Sequence, residues 1–359
     1  MATVPLDVDS LLGAAFAPIL GVIGFWFLQL VFIELQKRML TRLRHRHDAF
    51  LRFTNFIGIL FQTICHALGY TVTRSGIAAF QVTVHYGKVE PKKEKTGVWE
   101  WIIQSFLLFG PFFIPAGLVL LASYFVIGNG FVFPTLTHFT FMDSLTGFIT
   151  GLSTYAAAVV HFLSTIDLFN PLHVGFLVVL LFFGLGIRPS YIGEERKEKV
   201  TMIHDLVLIK NHLIQKPLYM LVFIVGMYVF YLVSLFLSPL VYQAVFMILG
   251  WISLTALLAL LLTYLVIAMI KATDEIRPHW NIVPYITLVV SYVLSRVFFL
   301  SYPVQHIGTI SLLVMILSTV MITILLIKYK RTNRFKTAIK MKHVRAADGK
   351  KRAFKKRAD

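Results

Sequence analysis

Residues 66–70 read His-Ala-Leu-Gly-Tyr, near the C-terminal end of an apolar segment. Histidine is a proper zinc ligand, and position 70, four residues after His66, shares its helix face. A carboxylate at position 67, one step round, would take the proton of a metal-bound water. Position 67 holds Ala67, which carries no base. Position 70 holds Tyr70, whose phenol stays protonated near neutral pH and ligates zinc poorly. The string has the spacing of a hydrolytic metal site and lacks two of its three working groups.

Asn55, Gln62, His66 and Tyr70 recur at spacings of seven, four and four and so form one polar stripe. Polar side chains at bilayer depth turn toward the bundle interior. Read structurally, the stripe is a line of interhelical hydrogen bonds, each worth about 1 kcal/mol. A substitute metal set, His66 with His161, Asp167 and His173, has the right ligand types, but no spacing fixes it. Cys65 is the single cysteine, which excludes internal disulfides and a multi-cysteine zinc site. No cofactor is expected.

The order of motifs around this string resembles the site-2-protease type of intramembrane zinc metalloprotease. After His66-Ala67-Leu68-Gly69-Tyr70 comes an alternating stretch over 79–86, then a span containing Gly110-Pro111. Asn170-Pro171 and Pro189-Ser190 follow in that family's order. The resemblance covers residues 50–216 and implies a cavity that admits a transmembrane helix. It also implies a metal set that this chain lacks, because Ala67, Tyr70 and Gly193 stand where base, second histidine and acid belong. His66 alone survives. The resemblance therefore implies a noncatalytic protein with a client groove at Asn55, Gln62, His66, Gly69, Tyr70, Gly110, Pro111, Asn170, Pro171, Pro189 and Ser190.

The elements that must position these residues are membrane helices. The 359 residues are 57% hydrophobic and 14% charged, against about 25% charged in a soluble domain. Apolar runs are expected to form nine spans, near 11–36, 51–71, 100–127, 144–165, 172–187, 217–239, 241–270, 283–301 and 308–328. The first lacks a signal-peptide cleavage site and is expected to be retained. Residues 79–86 alternate with Phe80, Val82, Val84 and Tyr86 on one face, a strand pattern. Residues 194–215 form an amphipathic helix with Val200, Ile203, Leu206, Val207, Leu213 and Ile214 on one face, suited to the interface or to capping the bundle.

The fold class expected is thus an all-α polytopic membrane protein with a short β segment. It comprises a first span and basic loop (1–49), a metalloprotease-like core (50–216), a four-helix region (217–330) and a disordered basic tail (331–359). Lys and Arg near the span ends place the N-terminus outside and the C-terminus in the cytoplasm. Alternation of nine spans puts the loop 72–99 outside, against the bias of Lys88, Lys92, Lys93 and Lys95.

Net charge is +17, and +10 of it lies in the tail. The tail's basic residues are Arg331, Arg334, Lys336, Lys340, Lys342, Arg345, Lys350, Lys351, Arg352, Lys355, Lys356 and Arg357. Such a tail anchors on anionic headgroups or neutralises RNA phosphates, as in ribosome docking. The leading expectation is a noncatalytic protease-like protein that holds transmembrane or extended clients in the bilayer. Alternatives are a membrane-biogenesis factor docking ribosomes through the tail, and a transporter broken at Asn170-Pro171.

Overall fold

The structure, a computed structural model, describes residues 8–43, 47–134, 140–187, 202–276, 279–302 and 306–355. A five-residue π-helical lead-in, Asp9–Gly13, precedes ten helices: α1 (Ala14–Leu43), α2 (Asp48–Val72), α3 (Val98–Ile127), α4 (Phe141–Thr165), α5 (Pro171–Gly186), α6 (Met202–Gln215), α7 (Pro217–Leu237), α8 (Pro239–Asp274), α9 (Val283–Leu300) and α10 (Ile307–Lys355). Between α2 and α3 lies one hairpin, β1 (Ile77–Val82) and β2 (Gly87–Pro91). The all-α polytopic class holds.

The count of nine spans does not. Among the described residues seven helices are long and apolar enough to cross a membrane: α1, α3, α4, α7, α8, α9 and the first half of α10. At 16 residues α5 reaches about 24 Å, short of the roughly 30 Å of hydrocarbon. In α2 the charges of Asp48 and Arg52 and the polar stripe dilute the apolar run.

The chain divides into two compact units, Met1–Ala268 and Met269–Asp359. In the first, α4 and α8 bury Phe148, Leu152, Tyr155, Val159, Met247 and Trp251 together. A second cluster joins Ala14 and Ala15 of α1 to Tyr231 of α7 and to Tyr242 and Phe246 of α8. Hydrogen bonds pin the same helices, with Tyr242 Oη donating to the Ala15 carbonyl (2.6 Å) and Gln29 Nε2 to the Ser253 carbonyl (3.3 Å). Beside them α2, α3 and α5 pack on one another, with Phe61 against Phe182 and Phe183. In the second unit α9 and α10 pack along their length. Lys330 Nζ reaches back to the carbonyls of Glu275 (2.6 Å) and Ile276 (3.1 Å).

The helix α10 continues through Lys355, where a disordered tail was expected. Residues 331–355 contain no proline and a single glycine, Gly349, among Lys, Arg and Ala, which are good helix formers. Lys356 and Arg357 lie outside the described residues.

The strand expected over 79–86 is also revised. β1 stops at Val82, and Thr83–Tyr86 form the hairpin turn. Thr83 Oγ1 accepts from the amides of His85 (3.3 Å) and Tyr86 (3.0 Å), while Thr83 N donates to the Tyr86 carbonyl (2.9 Å). A threonine hydroxyl folding the backbone onto itself defeats the apparent alternation. Gly87 opens β2 opposite Val82, and Phe80 faces Val89 across the ladder.

Candidate functional site

The site is built on α2. Its first turn is tied by Arg52 to Asp48 (2.8 Å), and its last turn is closed by Thr73, whose Oγ1 donates to the Gly69 carbonyl (2.9 Å). Thr73 Oγ1 also meets Ser75 Oγ (2.9 Å), both side chains being buried. Gly76, at φ +68°, supplies the left-handed residue that turns the chain into β1.

From there the hairpin folds back along α2. The Cα of Gly87 sits against Ile59 and Thr63; a methyl group there would lie 2.9 Å from Ile59 Cγ2 and closer still to Thr63 Oγ1. Ile59, Thr63, His66 and Tyr70 follow at helical spacing, so His66 and Tyr70 extend the ridge on which Gly87 rests. Their rings stack, with centroids 4.6 Å apart and planes at 28°. Glu94, beyond β2, lies within electrostatic reach of Tyr70.

Another face of α2 packs closely on α3. A methyl on Gly110 would lie 2.8 Å from both Cβ and Sγ of Cys65, and one on Gly69 would lie 3.2 Å from the Cα and carbonyl oxygen of Ile103. Gly69 and Gly110 are therefore the near-contact points of α2 and α3, with Pro111 buried beside them. Small residues let membrane helices approach this closely. Cys65, Gly69 and Ala67 are buried, whereas Asn55, Gln62, His66 and Tyr70 are half-buried. The polar stripe thus runs along the margin of the helix contact rather than in its centre.

The remaining motif residues serve other ends. Asn170 Oδ1 accepts from Leu172 N (3.0 Å) and caps α5, and Pro171 occupies the first helical position. Both stand about 24 Å along α5 from Gly186, which meets Phe61 of α2. His173 Nδ1 accepts from the Asp167 amide (3.0 Å), and its ring stands edge-on to Phe162. His161 is exposed on α4. Among the described residues no group of three or more His, Cys, Asp or Glu is gathered for a metal, so His66, His161, Asp167 and His173 do not form one. Pro189, Ser190 and Gly193 lie outside the described residues.

Two polar clusters carry no sequence signature. In the first, Tyr155 Oη of α4 lies 2.8 Å from Thr255 Oγ1 of α8 and 3.2 Å from Ser123 Oγ of α3. Thr255 donates to the Trp251 carbonyl and Ser123 to the Leu120 carbonyl (each 2.7 Å). Their hydroxyl protons are therefore committed, and Tyr155 donates to Thr255. Tyr155→Phe is expected to cost about 1 kcal/mol, in the range of membrane hydrogen bonds, as a lower unfolding midpoint in detergent. An unchanged midpoint would show the cluster to be energetically idle.

The second cluster joins the start of α3 to the end of α6. Trp101 stacks on His212 at 5.2 Å and 13°, and Ser105 Oγ lies 3.0 Å from His212 Nε2. Since Ser105 already donates to the Trp101 carbonyl (2.9 Å), His212 donates here through Nε2–H. Lys216 Nζ meets Glu100 Oε2 at 3.0 Å and also lies over the Tyr219 ring. Among the described side chains of α6 the buried ones are Ile209 and His212, while Val207 and Ile214 of the expected apolar face are exposed. Residues 194–201 of that expected helix fall outside the described residues.

Burial, and secondarily the Lys216 charge, pull the His212 pKa below its ordinary 6.5. Unfolding then takes up protons, so the stability contributed by neutral His212 is complete above about pH 6.5. It is lost as pH falls from there toward the lower folded value. Thermal unfolding of the wild type should weaken on acidification through this window, and His212→Gln should flatten that slope. An identical slope in both would remove His212 as its source.

No family model, curated protein or solved structure matches this chain.

Proposed function

We propose that this is a noncatalytic membrane protein that holds an extended or transmembrane client segment in a groove between α2 and the hairpin. The observation that carries this reading is the packing of Gly87 on Ile59 and Thr63, on the ridge that leads to His66 and Tyr70. A two-stranded ladder leaves a backbone edge, the feature through which a sheet accepts an added strand. Phe80 and Tyr86 are exposed beside it, and the half-buried polar stripe offers partners to a client's backbone or polar side chains.

Hydrolysis is not part of this proposal, because the residues on the ridge do not supply it. Ala67 is apolar and buried against the bundle. Tyr70 is stacked on His66 in the place of a second ligand. In this reading the C-terminal basic segment lies in the cytoplasm and residues 1–10, which lack Lys and Arg, lie outside.

The test is site-specific photocrosslinking in native membranes. A photoreactive residue replacing Tyr70 or Phe80 should capture discrete membrane polypeptides, whereas one replacing Leu237, exposed at the end of α7, should not. Purified protein should cleave no membrane-peptide reporter. Crosslinking that is equal at all three positions would sink the client groove, and tightly held zinc lost on His66→Ala would restore the metalloprotease alternative.

A further inference from the structure

The contacts of His212 and Lys216 decide where residues 72–99 lie. Val98 opens α3 and Pro217 opens α7, and both helices are long and apolar enough to span. Their first turns are joined by Glu100 with Lys216 and by Trp101 with Tyr219, rings 6.4 Å apart. Glu100 and Lys216 are both partly exposed, at 46% and 40%, as charges at the water-facing ends of spans should be. Two spans that begin in contact begin on one membrane face.

Alternation of three crossings between residues 100 and 216 would separate them by the bilayer thickness. An even number is required, and α3 and α4 supply it, because α5, about 24 Å long, is too short for a third crossing. Lys and Arg in short loops then name the face. Residues 72–99 carry Arg74, Lys88, Lys92, Lys93 and Lys95, and residues 188–216 carry six more. Acids such as Glu90 and Glu94 weigh little in this rule. The disagreement that nine alternating spans left at Lys88 through Lys95 disappears.

The same segment has the composition of an interfacial anchor. Phe80, Tyr86, Val98 and Trp99 are exposed beside exposed Lys92 and Lys93. Aromatic rings with a polar edge settle at headgroup depth, and lysines near an anionic surface each gain about 1 kcal/mol. On α6, Val207, Leu208 and Ile214 are exposed together with Lys210, which repeats the pattern.

We infer that residues 72–99 lie on the cytoplasmic face beside α6, where their exposed aromatic and lysine side chains rest among the anionic headgroups of that leaflet. This rests on the contacts and charges alone and holds whether or not the groove has a client.

Sidedness is tested in full-length protein with an impermeant maleimide on sealed membrane vesicles of both orientations. The native Cys65 is buried and can be retained as a slow background. Single substitutions Lys93→Cys, Lys210→Cys and Ser238→Cys report the hairpin, α6 and the opposite end of α7. K93C and K210C should react only where the cytoplasmic face is outward, and S238C only in the other orientation. K93C reacting together with S238C would overturn the placement.

Lipid contact is tested by attaching a fluorophore at K93C and reconstituting into vesicles of brominated phosphatidylglycerol or brominated phosphatidylcholine. Quenching should be stronger with the anionic lipid. The excess should fall in high salt and in a variant that also carries Lys88→Gln and Lys92→Gln. Equal quenching by the two lipids would overturn the anionic-headgroup part while leaving the sidedness result intact.

Discussion

Replacing Gly110 by alanine is expected to destabilise the first unit by about 2 kcal/mol, within the usual cost of overpacking a filled interior. The new methyl would sit 2.8 Å from Cβ and Sγ of Cys65 and 3.1 Å from Ile114 Cδ1, where carbon contacts are comfortable at about 3.5–4.0 Å. Cys65 has no exposed surface into which to withdraw. The two helices must separate, and four residues along, Gly69 holds α2 against the Ile103 backbone. Separation at Gly110 therefore loosens the seam at Gly69 as well. The measurement is the unfolding midpoint in a mild detergent. The double variant Gly110→Ala with Cys65→Gly moves the small residue to the other helix and should recover part of the loss. That recovery distinguishes a local clash from a general intolerance of α3 to change, since residues in contact couple and distant ones add. A Gly110→Ala protein as stable as the wild type would show that the seam has slack that its geometry does not suggest.

The membrane spans were legible in the sequence because lipid leaves the backbone one solution, and a long apolar run declares it. The count failed where that logic is weakest. α5 is as apolar as its neighbours but about one turn too short, and α2 is long enough but polar along one side. The hairpin was half legible. Alternation from Ala79 to Tyr86 reads as one strand because nothing in Thr83-Val84-His85-Tyr86 announces a turn except a threonine hydroxyl with two free amides to bind. The overlooked signal was the second alternation, Lys88 and Glu90 against Val89 and Pro91, directly after Gly87.

What could not be read were contacts between distant positions. Ser105 with His212, and Tyr155 with Thr255, are each about a hundred residues apart, and no local spacing encodes them. On α6 nothing in the local sequence marks His212 as a histidine that meets α3. The glycines of the motif were legible as motif but not as packing. Gly69 and Gly110 resemble remnants of a catalytic frame in the sequence, whereas in the fold their absent side chains are what α2 and α3 require.

Gly87 offers the sharpest separation of groove from fold. Gly87→Val should abolish client crosslinking at positions 70 and 80 while leaving the α2–α3 seam folded. A branched side chain at this position meets Thr63 Oγ1 and Ile59 Cγ2 at once, and neither can yield. Thr63 is held by its hydroxyl to the Ile59 carbonyl (2.6 Å), and Ile59 is buried. The hairpin is the lighter body. It follows α2 through Thr73–Gly76 at one end and rests on it through Gly87 at the other, so it should swing away from the ridge of His66 and Tyr70. Gly87→Ala combined with Thr63→Ala and Ile59→Leu removes both the obstructing hydroxyl and the Ile59 Cγ2 methyl, and should restore crosslinking, which a simple loss of strand propensity at position 87 would not allow. Stability should move little with Gly87→Val, because the α2–α3 seam at Gly69 and Gly110 does not involve the hairpin contact. Crosslinking that survives Gly87→Val would show that clients do not depend on the hairpin lying against α2. Loss of crosslinking together with a collapse of the unfolding midpoint would show instead that the hairpin holds the bundle rather than the client.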